Sequence, residues 1–257
     1  MVWAALTTII PSYTPDMALL QAAVASALDA GAAEVLVVFD HDRDTADAYA
    51  ADLRTRLPHG WRHACTGSHA QGPSCARNVG IDLVTMPTLS FLDADDVYVG
   101  RSLEAAGDLL RKTSAEAVYL GVRCVRWPSR ERICTYGMPE GWATERDFAQ
   151  IHHPLLPVVR TEVARQVRFR PHVRFAEDVL FNAEVISRGR AWSHPTIGYE
   201  YRVLDASLSH CGFDPDFSNT IDQYYADMAS HPDTPMKAMF QRKREINRQY
   251  SEFLSRR

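Results

Sequence analysis

Short apolar runs alternate with helical periodicities from the first residues onward, and this alternation restricts the fold more than any other feature. Ala4 to Ile10 is apolar and β-branched, a first strand that Pro11-Ser12-Tyr13-Thr14-Pro15 is expected to stop. Asp16 is an N-cap candidate, and Leu20, Val24, Ala27 and Leu28 follow on one helical face. Glu34 to Phe39 reads as a second strand, ending in Asp40-His41-Asp42-Arg43-Asp44. Ala46, Tyr49, Ala50, Leu53 and Leu57 mark a second helix, and Trp61 to Cys65 a third strand. Strand and helix in turn, with short connections, make a parallel α/β sheet. A chain of 257 residues, 46% of them hydrophobic, is enough for one large α/β domain or two small ones.

The next strand carries the chemistry. Leu89 to Leu92 is apolar, and three acids follow within four residues: Asp93-Ala94-Asp95-Asp96. Carboxylates this dense repel one another, and burying them unpaired is costly. A divalent cation resolves the conflict; hard oxygen donors suit Mg²⁺ or Mn²⁺, which share their shell with substrate phosphates. Ligands of open α/β sheets lie at the carboxyl ends of strands. The pattern therefore predicts a metal–diphosphate site. The plainer alternative is that Asp95 or Asp96 caps the helix expected after Gly100, which needs only one acid.

Upstream, Pro73-Ser74-Cys75-Ala76-Arg77-Asn78-Val79-Gly80 reads as a helix start preceded by Gly72. Free N–H groups there attract phosphate and Arg77 adds charge, unless Arg77 is only a solvated surface residue. Residues 101–113 form a further helix and Ala117 to Val125 a strand. From about residue 126 the alternation fades, and the stretch is a candidate acceptor-binding region. Trp142 offers a face for stacking on a sugar, although a core tryptophan is commoner. Five arginines crowd residues 160–174, just before Phe175-Ala176-Glu177-Asp178. Glu177 and Asp178 at a helix start either answer the helix dipole or form a general base with a tuning neighbour. Ala191 to Val203 contains a strand, and Ser207-Leu208-Ser209-His210 follows; His210 is either a ligand of metal or phosphate or simply solvated. Residues 235–257 carry seven basic and two acidic side chains on an expected helix: a solvated tail by default, otherwise a contact with an anionic membrane or a polyanion.

No apolar run is long enough to span a membrane, and the N-terminus lacks the basic region of a signal peptide. Five scattered cysteines suggest reduced thiols in the cytoplasm; a zinc site from His63, Cys65 and Cys75 fits no zinc spacing. Residues 1–122 have a net charge of −7 and residues 123–257 of +3, nearly all of the basic share being arginine. The two halves are therefore expected to meet different ligands.

Six motifs stand in a telling order: Thr8-Ile9-Ile10-Pro11-Ser12-Tyr13; Val37-Val38-Phe39-Asp40 with Asp44; Gly72 to Gly80; Phe91-Leu92-Asp93-Ala94-Asp95-Asp96; Phe175-Ala176-Glu177-Asp178; and Tyr201-Arg202 with Ser207 to His210. In that order the chain resembles the family 2 glycosyltransferases of GT-A fold. The resemblance implies a Rossmann-like, mixed but mainly parallel sheet flanked by helices. It implies a GT-A domain over 1–210, with a nucleotide-sugar half at 1–122 and an acceptor half at 123–210. A helical extension follows at 211–257. It also implies transfer of a sugar from a nucleotide diphosphate donor, often UDP-linked, with inversion. Pro11, Ser12 and Tyr13 would border the nucleoside, Asp40 would meet the base, and Arg77 would lie beside the nucleotide. Asp93, next to Ala94, would face the ribose, and Asp95 would ligate Mn²⁺ or Mg²⁺, with His210 a further candidate ligand. Asp178 would be the base and Glu177 its neighbour.

Two departures from the family's pattern stand out. His41-Asp42-Arg43 replaces small residues after the base-contacting acid, and Arg168-Phe169-Arg170 is basic where acids are usual. Arg168 and Arg170 suggest an anionic acceptor, such as a phosphorylated glycan or a teichoic-type polymer, nucleic acid being less favoured; the alternative is that they pair with surface acids. Two rival functions remain. A sugar nucleotidyltransferase would want a glycine-rich basic loop after the first strand, which Pro11 to Asp16 is not. A sugar-nucleotide-binding module without chemistry would most cheaply have lost Asp93, Asp95 or Asp178, all present. The location expected is the cytoplasm, with the basic C-terminal helix offering a peripheral membrane contact.

Overall fold

The computed structural model describes residues 5–151, 154–173, 177–204, 215–230 and 237–255. In chain order the elements are β1 (Leu6–Ser12), α1 (Met17–Asp29), β2 (Glu34–Phe39), α2 (Arg43–Arg56), β3 (Trp61–Cys65), α3 (Pro73–Leu83), β4 (Thr88–Phe91) and β5 (Val97–Tyr98). Then come α4 (Ser102–Thr113), β6 (Ala117–Arg126), β7 (Glu131–Tyr136), β8 (Gly141–Trp142), α5 (Glu145–Phe148), β9 (Val158–Arg160) and α6 (Thr161–Val167). Last are α7 (Glu177–Ser187), β10 (Ala191–Val203), α8 (Pro215–Ser230) and α9 (Lys237–Ser255).

The strands form one sheet in the order β3-β2-β1-β4-β9-β6-β10-β5, with β7 beside β6 and β8 beside β10. The longest pairings, β1 with β2 and β6 with β10, are parallel. Antiparallel β9 joins the two parallel groups by pairing with β4 and β6. This is the mixed, mainly parallel α/β architecture that the alternation predicts.

Local chemistry sets the boundaries. Asp16 caps α1 by accepting from the N–H groups of Ala18 and Leu19 at 2.8 and 3.1 Å. Asp42 caps α2 through the N–H of Thr45 at 3.0 Å, which gives one residue of the unusual His41-Asp42-Arg43 loop a structural duty. Gly72 precedes Pro73 at φ 96°, a conformation that suits glycine, and Pro73 opens α3, where a missing N–H costs nothing. On α3, a Cβ at Gly80 would come within 2.5 Å of Ile9 Cγ2, so glycine lets the helix lie close on β1.

β1 continues through Pro11 to Ser12 rather than stopping at Ile10. In parallel pairing Pro11 faces the same side as Ile9, and β4 reaches only as far as Phe91 opposite Ile9. No strand there needs the N–H that proline lacks. The acids after β4 do not cap the next helix: the position before α4 is Arg101, with no side-chain cap.

The core lies on both faces of the sheet. Under the site, Phe91 meets Phe169 and Phe181 edge-on at 5.1 and 5.5 Å, and Phe169 stacks on Phe181 at 4.3 Å. Each such pair adds about 0.5–1.5 kcal/mol beyond area burial. This cluster joins the end of β4 to α7.

The C-terminal helix is not the solvated tail expected of it. Met239, Phe240 and Lys243 are buried, and Asp222 on α8 draws in Arg244 and Arg248 of α9. Among the described residues no helix is long and apolar enough to cross a membrane. Cys65, Cys75, Cys124 and Cys134 form no disulfide among the described residues; Cys211 lies outside the described residues.

Candidate active site

Beyond β4 the chain turns through Asp93-Ala94-Asp95-Asp96, closed by the Asp96 N–H on the Asp93 carbonyl at 3.1 Å. Asp96 is fully buried, and β10 holds it. Its carboxylate accepts from the Tyr199 hydroxyl and the Arg202 N–H, both at 2.7 Å. Burial, then Asp95 and Asp93, push Asp96 well above the usual carboxylate range. Asp96 thus anchors the turn.

Asp93 and Asp95 are half-buried. Asp93 Oδ1 accepts from Arg77 Nη2 at 2.7 Å. Asp95 has no such partner among the described residues, and burial together with Asp93 pushes it up to about 6. An acid held close to a second acid is a site that a cation would relieve.

Arg77 rises from the second turn of α3. Its guanidinium donates to Asp93 and, through Nη1, to Glu177 Oε1 at 2.5 Å. It also lies over the Phe169 ring, 5.0 Å from the centroid. The side chain is 4% exposed. Burial opposes its charge, but the two carboxylates overcome this and raise its pKa. Arg77 is therefore the bolt between the β4 turn and the start of α7, and not a surface residue.

Asp178 follows Glu177 on α7. Its Oδ2 accepts the Leu155 N–H at 3.3 Å. Burial, then the Glu177 charge, push it up to about 7, against the pull of Arg77 and the Leu155 N–H. A carboxylate tuned to neutrality is what proton transfer at neutral pH requires.

The strand ends β1 to β3 form the adjoining wall. Ser12 Oγ is buried without a hydrogen-bond partner among the described residues. Pro11 is half-buried beside it. Tyr13 is exposed and stacks on His41, with ring centroids 5.1 Å apart and planes 6° apart. Asp40 was expected to meet a base, but its carboxylate holds its own loop: Oδ1 accepts from Thr66 and Gln71, Oδ2 from Gly72 at 2.7 Å. It shapes the wall and positions the start of α3, rather than presenting a free edge.

The structure does not bring every candidate together. Trp142 is 49% exposed and stands edge-on to Trp192 at 5.3 Å. Trp192 precedes Tyr199 by seven residues on β10, which puts the pair about 20 Å along the strand from the acidic turn. Arg168 forks onto Asp82 at 2.6 and 2.9 Å, and Asp82 lies at the far end of α3 from Pro73. Arg170 pairs with Glu184, farther along α7 than Asp178. Both guanidinium groups are engaged, as the surface-pairing alternative expects. His210 lies outside the described residues.

Arg202 gains a place that sequence reasoning did not give it. It is buried and stacks over Trp127 at 4.2 Å. Its Nη1 has no hydrogen-bond partner among the described residues, and its charge lowers the pKa of Asp95. The only signal in the sequence was its place in Tyr201-Arg202, since the partners come from distant strands.

Residues 7–162 match the family model Glycosyl transferase family 2. The chain belongs to that family. As a family 2 glycosyltransferase it shares its fold with solved relatives of low identity. Residues 1–349 of S. aureus TarS superpose with a TM-score of 0.64 at 17% identity, over 96% of this chain and 72% of that one. The same protein in complex with UDP-GlcNAc gives 0.60 at 15% identity, over 97% and 71%. The mannosyltransferase PcManGT from Pyrobaculum calidifontis, in complex with GDP-Man and Mn²⁺, gives 0.67 at 18% identity, over 99% and 76%. Among curated proteins, none matches.

Proposed function

We propose that this glycosyltransferase moves a sugar from a nucleoside diphosphate donor, UDP-linked by first preference, to an acceptor hydroxyl with inversion at the anomeric carbon. The observation that carries the reading is the Arg77 bridge. It ties the acidic turn to the start of α7, where Asp178 is pushed up to about 7.

The roles follow from position. Pro11, Ser12 and Tyr13 border the nucleoside on a wall held by Asp40, and Ala94 leaves room beside Asp93 for the ribose. Asp178 accepts the proton of the acceptor hydroxyl as that oxygen bonds to the anomeric carbon and the bond to the diphosphate oxygen breaks. One base and no covalent nucleophile make a single displacement, which inverts. Glu177, fixed on Arg77, holds the start of α7 in register and raises the basicity of its neighbour. Arg202, whose Nη1 has no hydrogen-bond partner among the described residues, would supply a positive charge for the leaving diphosphate.

Donor chemistry suits a divalent cation. Among the described residues no group of three His, Cys, Asp or Glu side chains forms a ready cage. Asp95 remains as a single unpartnered carboxylate under like-charge stress. One protein carboxylate completed by donor phosphate oxygens is the manner of Mg²⁺ or Mn²⁺ in phosphate-handling sites. Asp95, with His210 as a second candidate, would hold the ion, which when bound neutralises charge on the departing diphosphate. The PcManGT complex with GDP-Man and Mn²⁺ supports the same reading.

Titration calorimetry with UDP-, GDP-, dTDP- and CMP-sugars, with Mn²⁺ and then with chelator, tests the proposal. Binding of one donor that vanishes with chelator is expected. No binding to any of them would overturn this donor reading.

A further inference from the structure

Lys243 is the one described lysine on α9 that is wholly buried, and the mechanism above does not use it. No carboxylate pairs with it among the described residues. Its ammonium donates to the Ile151 carbonyl. It sits 4.2 Å from the centroid of Phe148 and 5.9 Å from that of Tyr225 on α8. An ammonium without a counter-ion is held here by one carbonyl and two aromatic faces. Burial pushes it down to about 7, and the Asp178 charge is the influence that opposes this.

What Lys243 grips gives it a purpose. Phe148 and Ile151 belong to the same short stretch of chain as Leu155, whose N–H is the hydrogen bond on Asp178. The downstream end of that stretch is fixed from the catalytic side. Asn182, one turn along α7 from Asp178, donates to the Leu155 carbonyl. The Tyr136 hydroxyl donates to the Pro154 carbonyl at 2.6 Å. The upstream end is fixed from the C-terminal helices, by Lys243 on Ile151. Leu155 follows Ile151 by only four positions, within about 14 Å of chain, and the two ends of this stretch are held from opposite sides.

We propose that Lys243 is a positioning residue for the general base. From α9 it pegs the upstream end of the segment whose Leu155 N–H orients the Asp178 carboxylate. The α8–α9 pair is thereby part of the catalytic apparatus. The inference rests on the reading of Asp178 as the base.

The test compares wild type with Lys243→Met, which keeps the apolar stem and removes the ammonium. Three quantities are read: donor turnover as nucleoside diphosphate released, donor affinity by calorimetry, and hydrogen exchange of peptides covering residues 148–156. The expected result is a kcat lower by tenfold or more with donor Kd within twofold. Exchange at Leu155 should be faster, and the pH midpoint of kcat/KM higher. The midpoint rises because the carboxylate loses the attraction of the ammonium as well as a firmly held N–H. Exchange at Leu155 separates the two causes: a lower Tm or a shifted midpoint with wild-type exchange at Leu155 overturns the proposal. Should Lys243→Met fail to fold, Phe148→Leu decides by withdrawing only the aromatic face. A smaller fall in kcat with unchanged donor Kd supports the proposal, and wild-type kcat overturns it. Wild-type protein that binds donor but never releases the diphosphate overturns the functional reading itself. Wild-type turnover that Lys243→Met leaves unchanged overturns the peg alone.

Discussion

Arg77 Nη1 and Glu177 Oε1 lie 2.5 Å apart, although 100 residues separate them in the chain. The same guanidinium holds Asp93 at 2.7 Å. One buried cation therefore fixes the distance between the turn that would receive the donor and the helix that carries Asp178, the proposed base. Two carboxylates brought this close without it would repel each other and drive the site apart.

Replacing Arg77 should be severe. Arg77→Ala leaves two part-buried carboxylates without their partner, a loss of about 3–5 kcal/mol for a broken buried pair. Arg77→Lys keeps the charge but cannot fork onto both acids, so an intermediate loss is expected. Urea unfolding of the three proteins measures this, and a cost below about 1 kcal/mol for Arg77→Ala would remove Arg77 as the bolt.

Much of the frame was readable before the structure. Glu34–Phe39 and Trp61–Cys65 stand as strands at their expected limits, because apolar runs between turn residues are a local signal. Asp16 as a cap is equally local. What escaped depends on distant partners. Asp40 finds its donors in the loop before α3, Lys243 finds a carbonyl 92 residues away, and Arg202 is set by strand pairing. No window of sequence contains such pairs. Trp142 and the two arginines failed to gather at the acids for the same reason: residue type suggested a ligand, and topology decided the neighbourhood.

Asp178→Asn should separate binding from chemistry. Loss of a general base lowers kcat by about 10²–10⁴-fold, with donor Kd unchanged. In wild type, kcat/KM should rise with pH to a plateau, with its midpoint near the value of about 7 set by burial and Glu177. A flat profile between pH 6 and 8 would exclude Asp178 as the titrating base.

The same residue makes a stability prediction of definite sign. Its folded pKa is raised, so the protonated acid suits the fold, and that contribution is full below the unfolded carboxylate value near 4. It is lost as pH rises through about 7. Asp178→Asn, neutral at every pH, should therefore be more stable than wild type at pH 8. The difference should shrink toward pH 4. Thermal unfolding across that range checks it, and a variant less stable at pH 8 contradicts it.

Asp95 predicts a metal response readable without turnover. Mn²⁺ at 100 times its Kd should stabilise wild type by about 2.7 kcal/mol, a Tm rise of some 5–10 °C at about 2–4 °C per kcal/mol. Asp95→Asn should abolish the rise. Without metal its own Tm should exceed that of wild type, since a carboxylate stressed by Asp93 has been neutralised. An unchanged Mn²⁺ shift in Asp95→Asn would move the ion elsewhere.

Arg168 and Arg170 test the acceptor. Their ion pairs with Asp82 and Glu184 are part-exposed, so substitution by alanine should cost at most about 1 kcal/mol each. Donor KM should stay unchanged, because neither residue lies at the β4 turn. An anionic acceptor that draws these arginines from their surface partners would show as a higher acceptor KM in the double variant, steepening at low ionic strength. Equal acceptor kinetics would leave both residues as fasteners, Arg168 of α3 and Arg170 of α7. The positive balance of the second half of the chain would then belong to its internal pairs and not to a ligand.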